Sequence, residues 1–144
     1  MSRVSQKYLI FVLAGRRFAF DLAQVAEVAE VEEQPLIWPI PKAPACYPGA
    51  MNFHGTIVAA MDLALFLGLS GNHGTEKVIV LDVRIAALAF LVEHVIRIAD
   101  VDQTDIREAA DGAFATALIN LADGEATLLD AAAIAEQAGE TING

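Results

Sequence analysis

A single cysteine, three serines and nine basic residues leave this chain little from which to build a catalyst or a nucleic-acid surface. With only Cys46 present, no disulfide can form within the chain, and a reducing cytoplasm fits that usage. Cys46 lies between prolines in an apolar loop, where a small buried hydrophobe outweighs a nucleophile. Ser2, Ser5 and Ser70 occur outside any G-x-S-x-G elbow. His54, His73 and His94 are isolated, without H-x-x-x-H or C-x-x-C spacing, so no metal site is expected. The formal charge of −10 argues against a phosphate backbone or an anionic membrane surface as partner. Long apolar runs are missing too. The longest uncharged stretch, 43–61, is broken by Pro44, Pro48, Gly49, Asn52 and Gly55, which no membrane-spanning helix would carry. The early apolar run "YLIFVLAG" is followed by Arg16-Arg17 rather than a cleavage site, so no export signal is expected. "GLSGNHGT" (68–75) lacks the Lys-Ser/Thr ending of a phosphate loop and reads as a flexible link. Other proteins and small molecules remain as partners.

What the chain does have is apolar material, 56% of 144 residues, enough for the core of one domain. "KYLIFVLAGRRFAFDLAQVAEVAEV" reads as two strands about a Gly15-Arg16 turn, then a helical turn at Leu22 to Gln24 and a third strand. Shifted by 70 residues, this segment matches itself without a gap. Ala19-Phe20 falls on Ala89-Phe90, Val25 on Val95, and Val28-Ala29-Glu30-Val31 on Ile98-Ala99-Asp100-Val101. A second match, offset by 68, sets Met51-Asn52-Phe53 on Ile119-Asn120-Leu121 and Met61-Asp62 on Leu129-Asp130. A glycine follows each asparagine (Gly55, Gly124), and Asp62 and Asp130 stand where a strand stops and a helical run begins, as N-caps do. Such repetition predicts a mainly β protein: one domain of two similar subdomains, about residues 8–70 and 76–130, each of roughly five strands. A C-terminal helix, about 131–138, is expected to stop at Gly139. Short twisted strands of this kind close into small barrels, and two such barrels would share apolar surface.

Glu27, Glu30, Glu32 and Glu33 could be paired carboxylates or a cation site, but a solvated strand end is the commoner origin of such a cluster. Trp38, between Pro35 and Pro39, is expected to pack on a barrel wall. No reactive constellation emerges, and a paired-barrel domain without one points to protein binding.

The stretch "GAMNFHGTIVAAMDLALFLGL" (49–69) resembles the N-L-R-G-x-[IV]-[VL]-P-[IV]-[VIM]-D-L-x-x-x-L-G-L signature of CheW-like domains, adaptors of bacterial chemotaxis arrays. "FVLAGRRFAFDLAQVAEV" is similar to that family's opening hairpin and V-x-E-[VI] segment, and "VIVLDVRIAALAFLVEHVIRIADV" to its second half, followed by a short helix in "DQTDIREA". The likeness runs from residue 8 to about 138. It implies two packed five-stranded SH3-like barrels, no cofactor and no catalysis. It also implies two partners, the cytoplasmic tip of a methyl-accepting chemoreceptor and the regulatory domain of a CheA-type histidine kinase. The resemblance implies a receptor-facing surface near the junction of the barrels, and residue-by-residue matching puts Val25, Glu27, Gly49, Asn52, His54 and Gly55 on or beside it; kinase contacts involve the ends of both barrels. The chain departs from the signature in three places: Phe53 replaces its leucine, His54 its arginine, and alanine (Ala59 or Ala60) its proline. That arginine commonly pairs with the acid that is Glu27 here, whereas histidine reaches less far and is fully charged only in acid. A twitching-motility or other kinase-linked adaptor is the related alternative, and a small-ligand-binding barrel the alternative of another class.

Overall fold

Among the described residues, twelve strands run in two series of six, each ending in a helix. The first series is β1 (Ser5–Leu13), β2 (Arg16–Asp21), β3 (Val25–Glu30), β4 (Leu36–Trp38), β5 (Gly49–Phe53) and β6 (Thr56–Asp62), then α1 (Leu63–Phe66). The second is β7 (Lys77–Leu81), β8 (Leu88–Val92), β9 (His94–Asp102), β10 (Ile106–Glu108), β11 (Ala115–Leu121) and β12 (Gly124–Leu129), then α2 (Ala131–Asn143). The computed structural model describes residues 5–32, 36–39, 45–69, 74–109 and 114–143, with 36–38 and 140–143 described by backbone alone. Glu33, Ser70, His73 and the Trp38 side chain lie outside the described residues.

The two series exchange strands. One sheet has the order β10-β11-β12-β2-β1-β9 and the other β4-β5-β6-β8-β7-β3, so exchanging each strand for its counterpart six places along the series converts one order into the other. Register repeats as faithfully as order. Phe18 and Ala19 of β2 face Thr127 and Leu128 of β12 in parallel. Leu88 and Ala89 of β8 face Ala59 and Ala60 of β6 in the same way. These pairs are related by the offsets of 70 and 68 read from the sequence. The expected division at 8–70 and 76–130 does not bound the sheets, however, since each takes two strands from one half and four from the other. The physical reason lies after β2, where Asp21 caps a 3-10 turn at Leu22–Gln24 and the chain crosses to pair β3 with β7. Each barrel-like sheet has six strands rather than five, because the three-residue β4 and β10 add one at each rim.

Burial of both faces explains the near-continuous apolar runs of β7, β8, β1 from Tyr8 onward and the Phe18–Phe20 centre of β2. Leu9, Phe11 and Leu13 of β1 point to a core shared by the two sheets, while Tyr8 and Ile10 point into their own sheet's core. In β7, Ile79 and Leu81 take the shared core and Val78 and Val80 the private one. Phe20 and Phe90, paired by the repeat, are both fully buried and stack at 5.3 Å between centroids, with Phe11 on Phe20 at 4.9 Å. Burying a phenylalanine side chain contributes about 1.5–3 kcal/mol, so this stack is a major tie between the sheets.

The local signals held at both helix starts, where the side chains of Asp62 and Asp130 accept from the backbone N–H of Leu65 and Ala133. Two boundaries moved. The first hairpin turns at Ala14-Gly15, one residue early, with both φ positive (51° and 73°), as two-residue turns in right-twisted hairpins require. The last helix runs through Gly139 to Asn143, because a glycine stops a helix only where it takes a left-handed φ.

Candidate partner-binding site

The β5–β6 hairpin is closed by His54 and Gly55, the only residues between the paired Phe53 and Thr56. Their φ values are 49° and 87°, the left-handed pair that lets a tight turn follow strand twist. Gly55 adopts that conformation without steric cost, and histidine is among the few other residues that tolerate it. Asn52 locks the turn, its Oδ1 accepting from the Gly55 N–H at 2.8 Å. The His54 ring is held outward against the Phe53 ring, 4.4 Å between centroids.

Glu27 reaches this turn from β3. A β-bulge falls between Val25, opposite Leu81, and Glu27, opposite Val80, so Ala26 is extra. Bulges re-aim side chains at sheet rims. Here the Glu27 Oε1 comes to 3.4 Å from the His54 Nε2, both side chains well exposed. Beside the pair opens a cavity of about 250 Å³, lined by Ala26, Phe53, Val58, Val80, Leu81 and Val83, with His54 and Asp82 also on its wall. Its lining is largely apolar, and Val83 is 68% exposed. The Asp82 carboxylate accepts from the Arg84 guanidinium at 2.7 and 3.0 Å. Those bonds hold its pKa down at about 2.

The structure thus brings together Glu27, Asn52, His54 and Gly55. Val25 stands two residues away at the bulge, half-buried and packed on the shared core. Gly49 does not join them: it is buried at the far end of β5, opposite Ala60. Glu30 faces away toward Lys77, with which it forms an ion pair, so the acidic cluster does not converge on one point. Cys46 is half-buried, and burial pushes its thiol up, away from the thiolate a nucleophile needs. Among the described residues, no group of three His, Cys, Asp or Glu side chains is placed to hold a metal ion.

Sequence reading missed the groove, because its walls come from β3, the β5–β6 hairpin and the 82–87 loop, which no local pattern joins. It also missed a second charged contact. Arg97, 70 residues after Glu27, points its two terminal nitrogens at the carboxylate of Asp123, 68 residues after Gly55, each at 3.4 Å. The two offsets already in hand would have found it.

The model of the CheW-like domain family matches residues 7–139 of this chain. The chain is 30% identical over 107 residues to the chemotaxis protein CheW of Thermotoga maritima, a match covering 72% of this chain and 68% of that protein. Its fold is similar to the crystal structure of the scaffolding protein TtCheW from Thermoanaerobacter tengcongensis. There the TM-score is 0.77 at 20% identity, over 88% of this chain and 90% of that one.

Proposed function

The chain belongs to the CheW-like domain family, whose members are scaffolds and adaptors rather than enzymes, and from that membership we propose the following role. It is a non-catalytic adaptor of chemotaxis that couples the cytoplasmic tip of a methyl-accepting chemoreceptor to the regulatory domain of a CheA-type histidine kinase. Val25, Glu27, Asn52, His54 and Gly55 are the receptor-facing residues; Gly49, buried at the far end of β5, is not among them. Both partner domains are cytoplasmic, and we place this chain with them; no helix among the described residues is long and apolar enough to cross a membrane.

One observation carries the reading: an open apolar groove flanked by the exposed contact between Glu27 of β3 and His54 of the β5–β6 hairpin. An apolar face docked there would remove Phe53, Val83 and Ala26 from water, which is favourable at about 25 cal/mol per Å². Polar rims of this kind set register and partner choice. At about 250 Å³ and open to solvent, the same groove falls below the usual size of an enclosing small-molecule site, which weighs against a ligand-binding barrel. The test is titration calorimetry with a receptor-tip fragment and, separately, with the kinase regulatory domain. Val83→Glu, at a position exposed enough to leave folding intact, should weaken receptor binding about tenfold or more. Kinase binding should hold. Loss of both partners by the folded variant, or of neither, would count against two separate surfaces. If a twitching-motility receptor and kinase bind in their place, the adaptor role stands and the pathway changes.

A further inference from the structure

We infer that Arg17 decides where a partner can dock: it fills, in one sheet, the place that stands open as a groove in the other, so the repeated fold offers one such groove rather than two. The inference rests on the adaptor reading for the identity of the occupant, but the closure itself can be tested without it. The β2–β12 and β8–β6 contacts share one register, so Arg17 on β2 and Ala87, just before β8, hold equivalent places 70 residues apart. The turns facing them correspond as well, with Thr56 of one matching Gly124 of the other. Ala87 and Thr56 both line the groove beside His54. The Ala87 side chain is short and exposed, and the space between those walls stays open.

In the other sheet the same two walls are joined. From β2, the Arg17 guanidinium reaches the β11–β12 turn, where Nη1 donates to the Asp123 carbonyl oxygen at 3.0 Å and stands 3.1 Å from its Oδ1. It also lies against Gly124, where an added Cβ would come within 3.1 Å of the same nitrogen. The side chain thus spans the counterpart of the groove and is held at its far end. The strands behind it are closed too. β1 and β2 pair without interruption to Leu13 and Arg16, whereas β7 and β8 part after Leu81 and leave the 82–87 loop, whose Val83 and Ala86 line the groove. An apolar partner docking over Arg17 would have to displace a paired guanidinium or strip it of water, which opposes burial. Specificity is secured as much by blocking the wrong site as by fitting the right one. With both grooves open, a partner could settle on either sheet; Arg17 removes one of the two places.

Reciprocal variants of the intact chain decide the matter, once circular dichroism has shown that they fold. With indole as a neutral apolar probe, methyl NMR of the parent should show shifts at Val58 and Val80, which line the open groove, and none at their counterparts Ala126 and Ile10. Arg17→Ala should bring the second pair into the response, and Ala87→Arg should abolish the first. Ala87→Met, which fills the space without a charge, should weaken the first response as well and serves if the arginine variant fails to fold. Parent shifts at both pairs, silence at Ala126 in Arg17→Ala, or a first response that survives filling at position 87 overturns the inference. With the receptor-tip fragment, calorimetry should give one site per parent chain and binding about tenfold weaker or more in Ala87→Arg. Arg17→Ala should keep that site unchanged and add a second, weaker one. A single site in Arg17→Ala, or full affinity in Ala87→Arg, overturns the inference and leaves the adaptor role standing. If the parent binds no fragment, the adaptor reading fails, and the indole shifts alone decide whether Arg17 closes the second groove.

Discussion

The hairpin turns closing β5–β6 and β11–β12 occupy equivalent places in the two sheets, yet their charges are arranged in reverse. In the first, the edge strand supplies the acid, Glu27, and the turn supplies the base, His54. In the second, the edge strand supplies the base, Arg97, and the turn supplies the acid, Asp123. The scaffolds agree closely. Each edge strand carries a bulge at the same point, between Val25 and Glu27 in β3 and opposite the Ile10/Phe11 step in β9. A duplicated fold preserves geometry because packing fixes it, while exposed charges at the rim are free to diverge. The second cluster is also the more heavily bonded, since Arg17 joins Arg97 on Asp123 at 3.1 Å and donates to its carbonyl oxygen. The hydrogen bonds from Arg97 hold the Asp123 carboxyl below its ordinary range. One turn carries an aspartate paired with two arginines, and the other a single Glu27–His54 contact.

The strongest way to break the comparison is to separate the copies. Because each sheet needs strands from both halves, fragments 1–72 and 73–144 should each be unfolded alone by circular dichroism and amide NMR. Mixing them should restore β structure; a well-dispersed spectrum from either fragment by itself would contradict reciprocal exchange. Next in size are Phe20→Ala and Phe90→Ala. Each should cost about 3–5 kcal/mol in urea denaturation, the range for removing a buried aromatic side chain. Near-equal losses in a single transition support equivalence, while two transitions would mean that the sheets melt independently. Glu27→Lys, by placing a cation beside His54, should weaken receptor binding about tenfold, whereas Arg97→Glu should leave that affinity nearly unchanged. Equal effects would erase the distinction between the turns. The smallest effect belongs to Asp123→Asn. A carboxyl whose pKa is lowered by folding adds stability above its unfolded value and loses it as pH falls through the folded one. The variant should therefore melt slightly below the parent at pH 7, with the gap closing only as the carboxylate range is crossed in acid.

Much of this could be read from the chain, and the failures have a common cause. The offsets of 70 and 68 marked Phe20 and Phe90 as equivalent positions and found both aspartate caps, because strand periodicity and capping chemistry are local. They could not predict exchange. A strand that buries both faces satisfies the same pattern whether it pairs within its own copy or with the other. The Asn52-to-Gly55 turn was legible from turn chemistry, and Glu27 beside His54 from family resemblance. Gly49 was carried along by the same resemblance, but a strand of five residues puts its first and last members roughly 13 Å apart, and burial removes the first from any partner.

Strand exchange also has a consequence for how the molecule is made. Sheet partners Phe18 and Thr127 lie more than a hundred positions apart in the chain. During synthesis, β1 and β2 leave the ribosome first, carrying Ile10, Phe11 and Phe20, which are wholly enclosed in the finished protein. The sheet built on β3 to β8 can close as soon as Val92 has emerged. The other waits for β12, and at about 5–20 residues per second that wait lasts some seconds. The earliest strands of this fold are among the last to be covered: β1 and β2 keep one flank open until Leu129 has emerged.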